Sequence, residues 1–232
     1  DNLKKEIHLI RDRMGEKPLY YGFVNGSFVF ASELKSFKQF PNFSNNINKN
    51  NLSLYLKYLA IPAPYSIYEN IYKIEPGCIL SIKYEKIFSI EKNEFNNFTN
   101  SKYYNYSKYW SIYSESLEGY NNQITDKKIA LNELESTLRN SIELQSNADV
   151  NLGVFLSGGV DSSLISALMQ TQSKDPISTF SVGFENSKYN EAIHAKKISS
   201  YLGTNHNEIY VSSKEALNVV DSLASIYCEP FA

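Results

Sequence analysis

Short runs of aromatic and β-branched residues occur in much of the first hundred residues, and such runs are typical of β-strands. Two such runs, residues 19–24 and 27–32, flank Asn25 and Gly26. The Asn-Gly pair tolerates the positive φ angles of a two-residue type I′ turn, so the sequence predicts a β-hairpin here. A further strand is predicted over residues 78–84.

The second half of the chain has a different pattern, in which short apolar runs alternate with amphipathic segments. The apolar runs predict strands over residues 150–156, 177–184 and 208–211. The amphipathic segments predict helices over residues 130–144, 162–170, 191–201 and 214–226. Strands that alternate with helices in this way indicate crossover units and a parallel sheet, and the strand at 150–156 is predicted to be buried.

Residues 91–123 lie between the two patterns and are rich in Asn, Ser and Tyr. They predict a linker with one short strand near Tyr109. The tyrosines of this segment would also suit stacking platforms for single-stranded nucleic acid. Because only Lys102 and Lys108 are interleaved with them, a linker packed on a domain interface is the preferred interpretation.

The composition narrows the class of protein. A chain of 232 residues with 42% hydrophobic residues can bury the core of one large or two ordinary domains. The net charge of -2 gives no general attraction for nucleic acid or anionic membranes, so neither is predicted as a partner. No apolar run approaches the roughly 20 residues that cross a bilayer. Cys78 and Cys228 lack a CxxC spacing, which predicts neither a disulfide framework nor a zinc site, and a cytoplasmic location is expected.

A glycine-rich segment lies between the predicted strand at 150–156 and the next helix. Its glycines let the backbone approach a ligand closely, and the helix N-terminus offers unpaired N–H donors with a partial positive charge. The segment therefore predicts a cradle for an anion, although not a Walker A loop, because no Gly-Lys-Ser/Thr follows. Its residues are Ser157, Gly158, Gly159, Val160, Asp161, Ser162 and Ser163.

Asp161 is an anion inside this predicted anion site. Its carboxylate fits the site if a divalent cation stands between it and bound phosphate groups. The alternative is an ordinary strand-to-helix turn, in which Asp161 only caps the helix. The full glycine- and serine-rich string after an apolar strand favours the ligand-binding interpretation.

Residues 155–163 resemble the pyrophosphate-binding loop of the adenine nucleotide α-hydrolase-like ligases. Other segments resemble the glutamine-dependent asparagine synthetases in the same order along the chain, namely residues 179–184, 202–208 and 229–232. Residues 11–21 and 30–35 resemble the closing strands of that family's N-terminal glutaminase domain. The resemblance thus covers nearly the whole chain.

The resemblance implies a mixed α/β protein, in which a β-rich Ntn-type glutaminase remnant precedes a parallel-sheet α/β ATP-pyrophosphatase (PP-loop, adenine nucleotide α-hydrolase-like) domain. The implied domains are the C-terminal part of a class II glutaminase domain at 1–100, a linker at 101–125, and the N-terminal part of the synthetase ATP-binding domain at 126–232. Leu156 and Val182 are implied to contact adenosine, residues 157–163 to bind pyrophosphate, and Asp161 to bind Mg²⁺.

The implied reaction is the amidation of aspartate to asparagine, with glutamine and ATP as the other substrates. The aspartate carboxylate attacks the α-phosphorus to give an acyl-adenylate and pyrophosphate, and ammonia from glutamine then displaces AMP. A homodimer is left open. Two alternatives also stay open: a related amidotransferase that acts on a sugar acid or another carboxylate, and a non-catalytic nucleotide-binding fragment.

The chain departs from the family's pattern in its cysteines and its ends. The glutaminase nucleophile should be an N-terminal cysteine, which neither Cys78 nor Cys228 matches. The chain opens at Asp1 without a Met and closes at Ala232 without a turn signal. We therefore expect a fragment of a longer gene product, itself inactive.

Three further residues have two interpretations each. Glu229 could line the carboxylate or magnesium end of the active site as a catalytic residue, or it could be a locally paired Glu. For His206, a structural hydrogen-bonding role is preferred over catalysis. For Cys228, a small buried apolar side chain is preferred over a reactive thiol.

Overall fold

The computed structural model describes residues 1–90, 100–185 and 190–230. The chain forms two compact units, which are described separately. Unit 1 comprises Asp1–Asn122 together with the end of the chain from Leu223, and unit 2 comprises Gln123–Ser222.

Nine strands and nine α-helices make up the described structure. The strands are β1 Glu6–Ile10, β2 Tyr20–Val24, β3 Ser27–Ala31, β4 Ile71–Lys73, β5 Cys78–Lys83, β6 Tyr104–Lys108, β7 Gly153–Phe155, β8 Ser178–Phe184 and β9 Asn205–Val211. The helices are α1 Leu34–Phe37, α2 Lys49–Tyr58, α3 Tyr84–Ile87, α4 Ile112–Asn121, α5 Lys127–Gln145, α6 Val160–Gln172, α7 Ala192–Leu202, α8 Ser213–Val219 and α9 Leu223–Ile226.

The predicted hairpin is confirmed in unit 1. Strands β2 and β3 pair antiparallel, with Val24 opposite Ser27. Asn25 and Gly26 join them with φ angles of 49° and 79°. Two successive positive φ values are what a type I′ turn requires, and its twist matches that of the flanking strands.

Two antiparallel sheets, with strand orders β1-β5-β6 and β3-β2-β4, share one hydrophobic core in unit 1. Strand β2 contributes Tyr21 and Phe23 to this core. Its alternate residues Tyr20 and Val24 belong to a second core that also contains side chains of α1. Because successive side chains of a strand point to opposite faces, β2 is buried along its whole length.

Part of the predicted linker has regular structure in unit 1. Strand β6 pairs antiparallel with β5, and Tyr104 is buried in the shared core. The short strand therefore ends just before Tyr109, and helix α4 follows it. Residues 91–99 of the predicted linker lie outside the described residues. The end of the chain, from Leu223, groups with unit 1 rather than with unit 2, and the domain limits stay predictions.

The predicted parallel sheet is confirmed in unit 2. Its strand order is β7-β8-β9, with α6 and α7 as the crossover helices. Gly203 ends α7 in the left-handed conformation, with φ 71°. Ser212 and Glu215 form the predicted capping box at the start of α8.

The prediction of a buried strand over residues 150–156 differs from the structure in both the length and the burial of the strand. Strand β7 has only three residues, and Phe155 is 81% exposed, whereas Leu156 is 1% exposed. In the neighbouring strand β8, the polar side chains of Thr179 and Ser181 are buried and the apolar Val182 is 45% exposed. Helix α7 therefore covers the small and polar face of the sheet, and the apolar face is exposed.

The architecture is mixed α/β with three small sheets, as the sequence predicts at this level. The assignments to the Ntn type and to the PP-loop type stay predictions. None of the helices within the described residues is both long and apolar enough to span a membrane.

Candidate functional site

The glycine-rich loop lies where the sequence predicts it, between β7 and α6. Gly159 is the N-cap of α6, with an extended φ of -72° and ψ of 165°. Val160 and Asp161 then form the start of the helix. The loop thus leads directly into a helix N-terminus, where backbone N–H groups have no intrahelical partner.

Gly158 is required by its surroundings. Its φ is +85°, which L side chains rarely adopt. A Cβ atom built on Gly158 would lie 2.7 Å from the Cβ of His194 and 3.1 Å from the backbone nitrogen of Ala195. Any larger residue would therefore displace either the loop or the start of α7.

Some of the loop's N–H groups are already bonded and others are free to bind a ligand. The N–H of Ser157 donates to Ser162 Oγ at 3.2 Å, and that of Gly159 donates to Ser157 Oγ at 3.3 Å. In contrast, the N–H groups of Gly158, Val160 and Asp161 have no acceptor within the described residues. These three free donors can hydrogen-bond an anion.

The serine hydroxyls brace the loop. Ser157 Oγ and Ser162 Oγ lie 2.9 Å apart, and Ser163 Oγ donates to the carbonyl oxygen of Gly159 at 2.6 Å. These bonds hold the two ends of the loop together across the start of α6. The donors are therefore held in place before a ligand arrives, which lowers the entropy cost of binding.

Asp161 is exposed in the first turn of α6. No group of three or more His, Cys, Asp or Glu side chains suitable for a metal ion occurs in residues 1–90, 100–185 and 190–230. The exposed carboxylate of Asp161 could supply one ligand to Mg²⁺. The remaining ligands would be phosphate oxygens and water, as Mg²⁺ prefers at phosphate sites.

The two predicted adenosine contacts point to opposite faces of the parallel sheet. Leu156 is 1% exposed, and its N–H donates to the carbonyl oxygen of Phe180 at 2.8 Å. Val182 belongs to the exposed face. A ligand at the sheet surface can touch the side chain of Val182, but it can reach Leu156 only through the backbone.

His206 belongs to a buried polar network on the covered face. Its Nδ1 lies 2.9 Å from Thr179 Oγ1 and its Nε2 lies 3.1 Å from Ser181 Oγ. Glu208 Oε2 accepts a 2.8 Å hydrogen bond from Tyr210 Oη, which lowers the pKa of Glu208 below 4.5. The hydrogen bonds of His206 match the structural role that is preferred from the sequence.

Glu229 lies in unit 1 and is paired. Its carboxylate accepts a hydrogen bond from Lys73 Nζ at 2.5 Å, from the Ile67 N–H at 2.7 Å and from Tyr20 Oη at 3.2 Å. The locally paired arrangement is therefore the one observed, and a catalytic role for Glu229 stays a prediction. Sequence reasoning missed Tyr20 and Lys73, although a lysine that closes an otherwise apolar strand, β4, was an available signal.

The two cysteines are free thiols. Cys78 is buried in the core shared by the two antiparallel sheets, and this burial raises the pKa of its thiol. Cys228 is half-buried and packs against the second core of unit 1.

A parallel sheet with crossover helices and a glycine-rich loop at a helix N-terminus defines an α/β unit that can bind an anion. Comparison with known families is more specific. Residues 133–232 match the family described as asparagine synthase, and residues 1–95 match the family described as glutamine amidotransferase domain.

Individual relatives carry related names. The chain is 36% identical over its whole length to a Methanocaldococcus jannaschii protein provisionally named asparagine synthetase (glutamine-hydrolyzing) 2. It is 28% identical, over 96% of its length, to asparagine synthetase (glutamine-hydrolyzing) 1 of Bacillus subtilis, and 25% identical, over 96%, to the asparagine synthetase (glutamine-hydrolyzing) of Mus musculus. The matches cover 41%, 31% and 36% of these relatives, so the chain spans less than half their length.

The chain belongs to the glutamine-hydrolysing asparagine synthetase family.

Proposed function

We propose that the complete protein is a ligase that converts aspartate to asparagine, with ATP and glutamine as the other substrates. The observation that carries this proposal is the loop at residues 157–163, whose N–H groups at Gly158, Val160 and Asp161 have no acceptor in the described chain. Family membership and the names of the relatives support the same reaction.

In the proposed reaction, an oxygen of the aspartate side-chain carboxylate attacks the α-phosphorus of ATP. The bond from that phosphorus to pyrophosphate breaks, which gives an acyl-adenylate and free pyrophosphate. Ammonia then attacks the acyl carbon, the bond to AMP breaks, and the amide forms. Negative charge develops on pyrophosphate in the first step, so donors that are already in place around it lower the barrier.

The loop residues have distinct parts in this proposal. The free N–H groups of Gly158, Val160 and Asp161 would bind oxygens of the pyrophosphate, and the partial positive charge of the α6 N-terminus would favour its charge. The Asp161 carboxylate would hold Mg²⁺, which when bound neutralises part of the phosphate charge. Val182 would contact adenosine through its side chain and Leu156 through its backbone.

The ammonia would come from glutamine. The match of residues 1–95 to a glutamine amidotransferase domain supports this source. Neither cysteine of the chain suits the nucleophile, because Cys78 is buried with a raised thiol pKa and Cys228 packs against a hydrophobic core. We therefore propose that the glutaminase nucleophile is supplied outside residues 1–232. We also propose that the enzyme acts in the cytoplasm.

The proposal is tested by aspartate-dependent exchange of labelled pyrophosphate into ATP, measured on the protein encoded by the complete gene. We expect exchange with aspartate and none with a sugar acid such as glucuronate. Asp161→Asn should lower the exchange rate at least about 100-fold, the usual effect of losing a group that stabilises transition-state charge. Asp175→Asn is the matched control, because Asp175 is also exposed in unit 2 but lies beyond the C-terminal end of α6.

Two results would contradict the proposal. Pyrophosphate exchange that is driven by glucuronate and not by aspartate would show that the acceptor is a sugar acid. An unchanged exchange rate in Asp161→Asn would contradict the proposal that the loop binds pyrophosphate through Mg²⁺.

A further inference from the structure

Three hydrogen-bond donors of unit 1 converge on one carboxylate, that of Glu229. Lys73 Nζ and Tyr20 Oη both donate to Glu229 Oε2, at 2.5 Å and 3.2 Å. The Ile67 N–H donates to Glu229 Oε1 at 2.7 Å. Both oxygens of the carboxylate are therefore engaged by donors from the body of unit 1.

The pair is nearly buried. The side chains of Lys73 and Glu229 are each 11% exposed. Lys73 Nζ also donates to the carbonyl oxygen of Ile61 at 2.6 Å. Among the ion pairs that Lys and Arg form in the described residues, this is the one in which both partners are buried to this degree.

Two of the three donors, those of Tyr20 and Lys73, are held by the sheet and not by the segment that contains Glu229. Tyr20 of β2 and Lys73 of β4 are direct partners in the antiparallel register. Burial, together with the negative charge of Glu229, raises the pKa of Tyr20 far above its usual value, so its hydroxyl keeps its proton. Lys73 Nζ also lies 5.5 Å from the centre of the Tyr20 ring, close enough for a cation–π contact.

The two sides of this contact match different families. Tyr20, Ile67 and Lys73 lie within residues 1–95, the part that matches the glutamine amidotransferase domain. Glu229 lies within residues 133–232, the part that matches asparagine synthase. The contact thus joins Glu229, near the end of the region that matches asparagine synthase, to the region that matches the amidotransferase domain. Both sides of the contact belong to unit 1.

We propose that Tyr20, Lys73 and the Ile67 N–H form a carboxylate-binding site whose ligand is Glu229 of the same chain, and that Glu229 is thereby a positioning residue that anchors residues 223–230 on the amidotransferase part. Both oxygens of this carboxylate accept hydrogen bonds from within unit 1, so neither is free to contact a substrate. The part of Glu229 in catalysis is then indirect, through the placement of the chain on either side of it.

The site selects a carboxylate over its amide isostere. Glutamine at position 229 offers one oxygen and one NH₂ group. The NH₂ group must face either the Ile67 N–H or the Lys73 and Tyr20 donors, so one donor is always left without an acceptor. Such a loss at a buried charged hydrogen bond is large.

The direct test is the hydrogen-exchange rate of the Ile67 amide, measured by NMR on the 232-residue chain. Glu229→Gln should raise this rate about 10- to 100-fold, because in either orientation of the amide the Ile67 N–H loses its charged acceptor and faces a neutral oxygen or an NH₂ group. Glu33→Gln is the matched control: Glu33 pairs with Lys35 at 2.9 Å, but both side chains are about half exposed. This control should leave Ile67 unchanged. An Ile67 rate in Glu229→Gln equal to that of the unaltered chain would overturn the proposal.

A double variant separates the carboxylate site from simple loss of stability. Lys73→Met alone leaves the buried Glu229 charge without its cation and should raise Ile67 exchange about as much as Glu229→Gln does. Lys73→Met combined with Glu229→Gln removes both charges, and its effect should be smaller than the product of the two single effects. An increase in Ile67 exchange in the double variant equal to the product of the two single increases would overturn the proposal.

The consequence for catalysis rests on the proposed function. In the protein from the complete gene, Glu229→Gln should lower glutamine-dependent synthesis of asparagine about tenfold more than synthesis from added ammonia. The reason is that only glutamine-dependent synthesis requires the amidotransferase and asparagine synthase parts to be correctly placed relative to each other. An equal fall in both activities would overturn the positioning role. Absence of ammonia-dependent synthesis in the unaltered enzyme would instead refute the proposed function, while Ile67 exchange still decides on the carboxylate site.

Discussion

Strand β2 of unit 1 and strand β8 of unit 2 are both rich in apolar residues, but they are buried differently. Every residue of β2 is buried, because each of its faces packs on a hydrophobic core. Strand β8 buries only Thr179, Ser181 and Gly183, while its apolar side chains are 37% to 45% exposed. An apolar pattern identifies a strand in both units, but it does not say which face is covered.

The covered face of unit 2 is explained by small residues and satisfied polar groups. Ala192, Ala195 and Ser199 of α7 are buried, and their small side chains let the helix lie close to the sheet. His206 bonds to the buried hydroxyls of Thr179 and Ser181. Because no buried side-chain polar atom among the described residues lacks a partner, hydrogen bonds offset the desolvation cost of covering the polar face.

The largest expected effect on stability is in the core of unit 1. Leu80→Ala should lower the free energy of unfolding of unit 1 by about 2–5 kcal/mol, because Leu80 is fully buried between the two sheets and its loss leaves a cavity. The measurement is the exchange rate of the slowest amides of unit 1. A loss below about 1 kcal/mol would show that the two sheets do not share a packed core.

A smaller effect is expected on the exposed face of unit 2. Val182→Ala should cost less than about 1 kcal/mol, because Val182 is 45% exposed and little apolar contact is lost. Leu168→Ala is the control, since Leu168 of α6 is 6% exposed and its removal should cost about 2–5 kcal/mol. Equal losses for the two variants, measured on the amides of unit 2, would mean that the face of Val182 is covered in solution.

The smallest effect concerns one carboxylate of unit 2. Hydrogen bonding from Tyr210 holds the pKa of Glu208 below 4.5, so the stabilisation by Glu208 is present above pH 4.5 and is lost as the pH falls through the lowered pKa. Tyr210→Phe should bring the pKa of Glu208 closer to 4.5 in an NMR titration. Tyr201→Phe serves as the control because Tyr201 is 89% exposed. A Glu208 pKa that stays in place in Tyr210→Phe would assign the shift to Lys196 instead.

Local signals predicted local structure well. The Asn25-Gly26 turn, the capping box at Ser212 and the helix end at Gly203 each depend on a few neighbouring residues, and all are present in the structure. The position of the glycine-rich loop between a strand and a helix was predictable for the same reason. The free N–H groups of Val160 and Asp161 follow from helix geometry alone.

Features that depend on distant partners were not predictable in the same way. Strand β6 exists because it pairs with β5, and its two tyrosines and single asparagine give no strong local signal. The contact of Lys73 with Glu229 joins residues far apart in the sequence, and charge alone does not select one partner among 23 basic and 25 acidic residues. The sequence also predicted a buried strand over residues 150–156, where Phe155 is 81% exposed, because the sequence pattern carries no information on which face a helix will cover.

The central claim, that residues 157–163 bind pyrophosphate, is tested most directly by NMR titration of the chain with magnesium pyrophosphate. The account predicts that the amide signals of Gly158, Val160 and Asp161 shift together and saturate, and that Asp161→Asn weakens this response. The amides of Asn25 and Gly26, in the hairpin turn of unit 1, should not move. Saturating shifts elsewhere in the chain, with these three loop amides unchanged, would contradict the account.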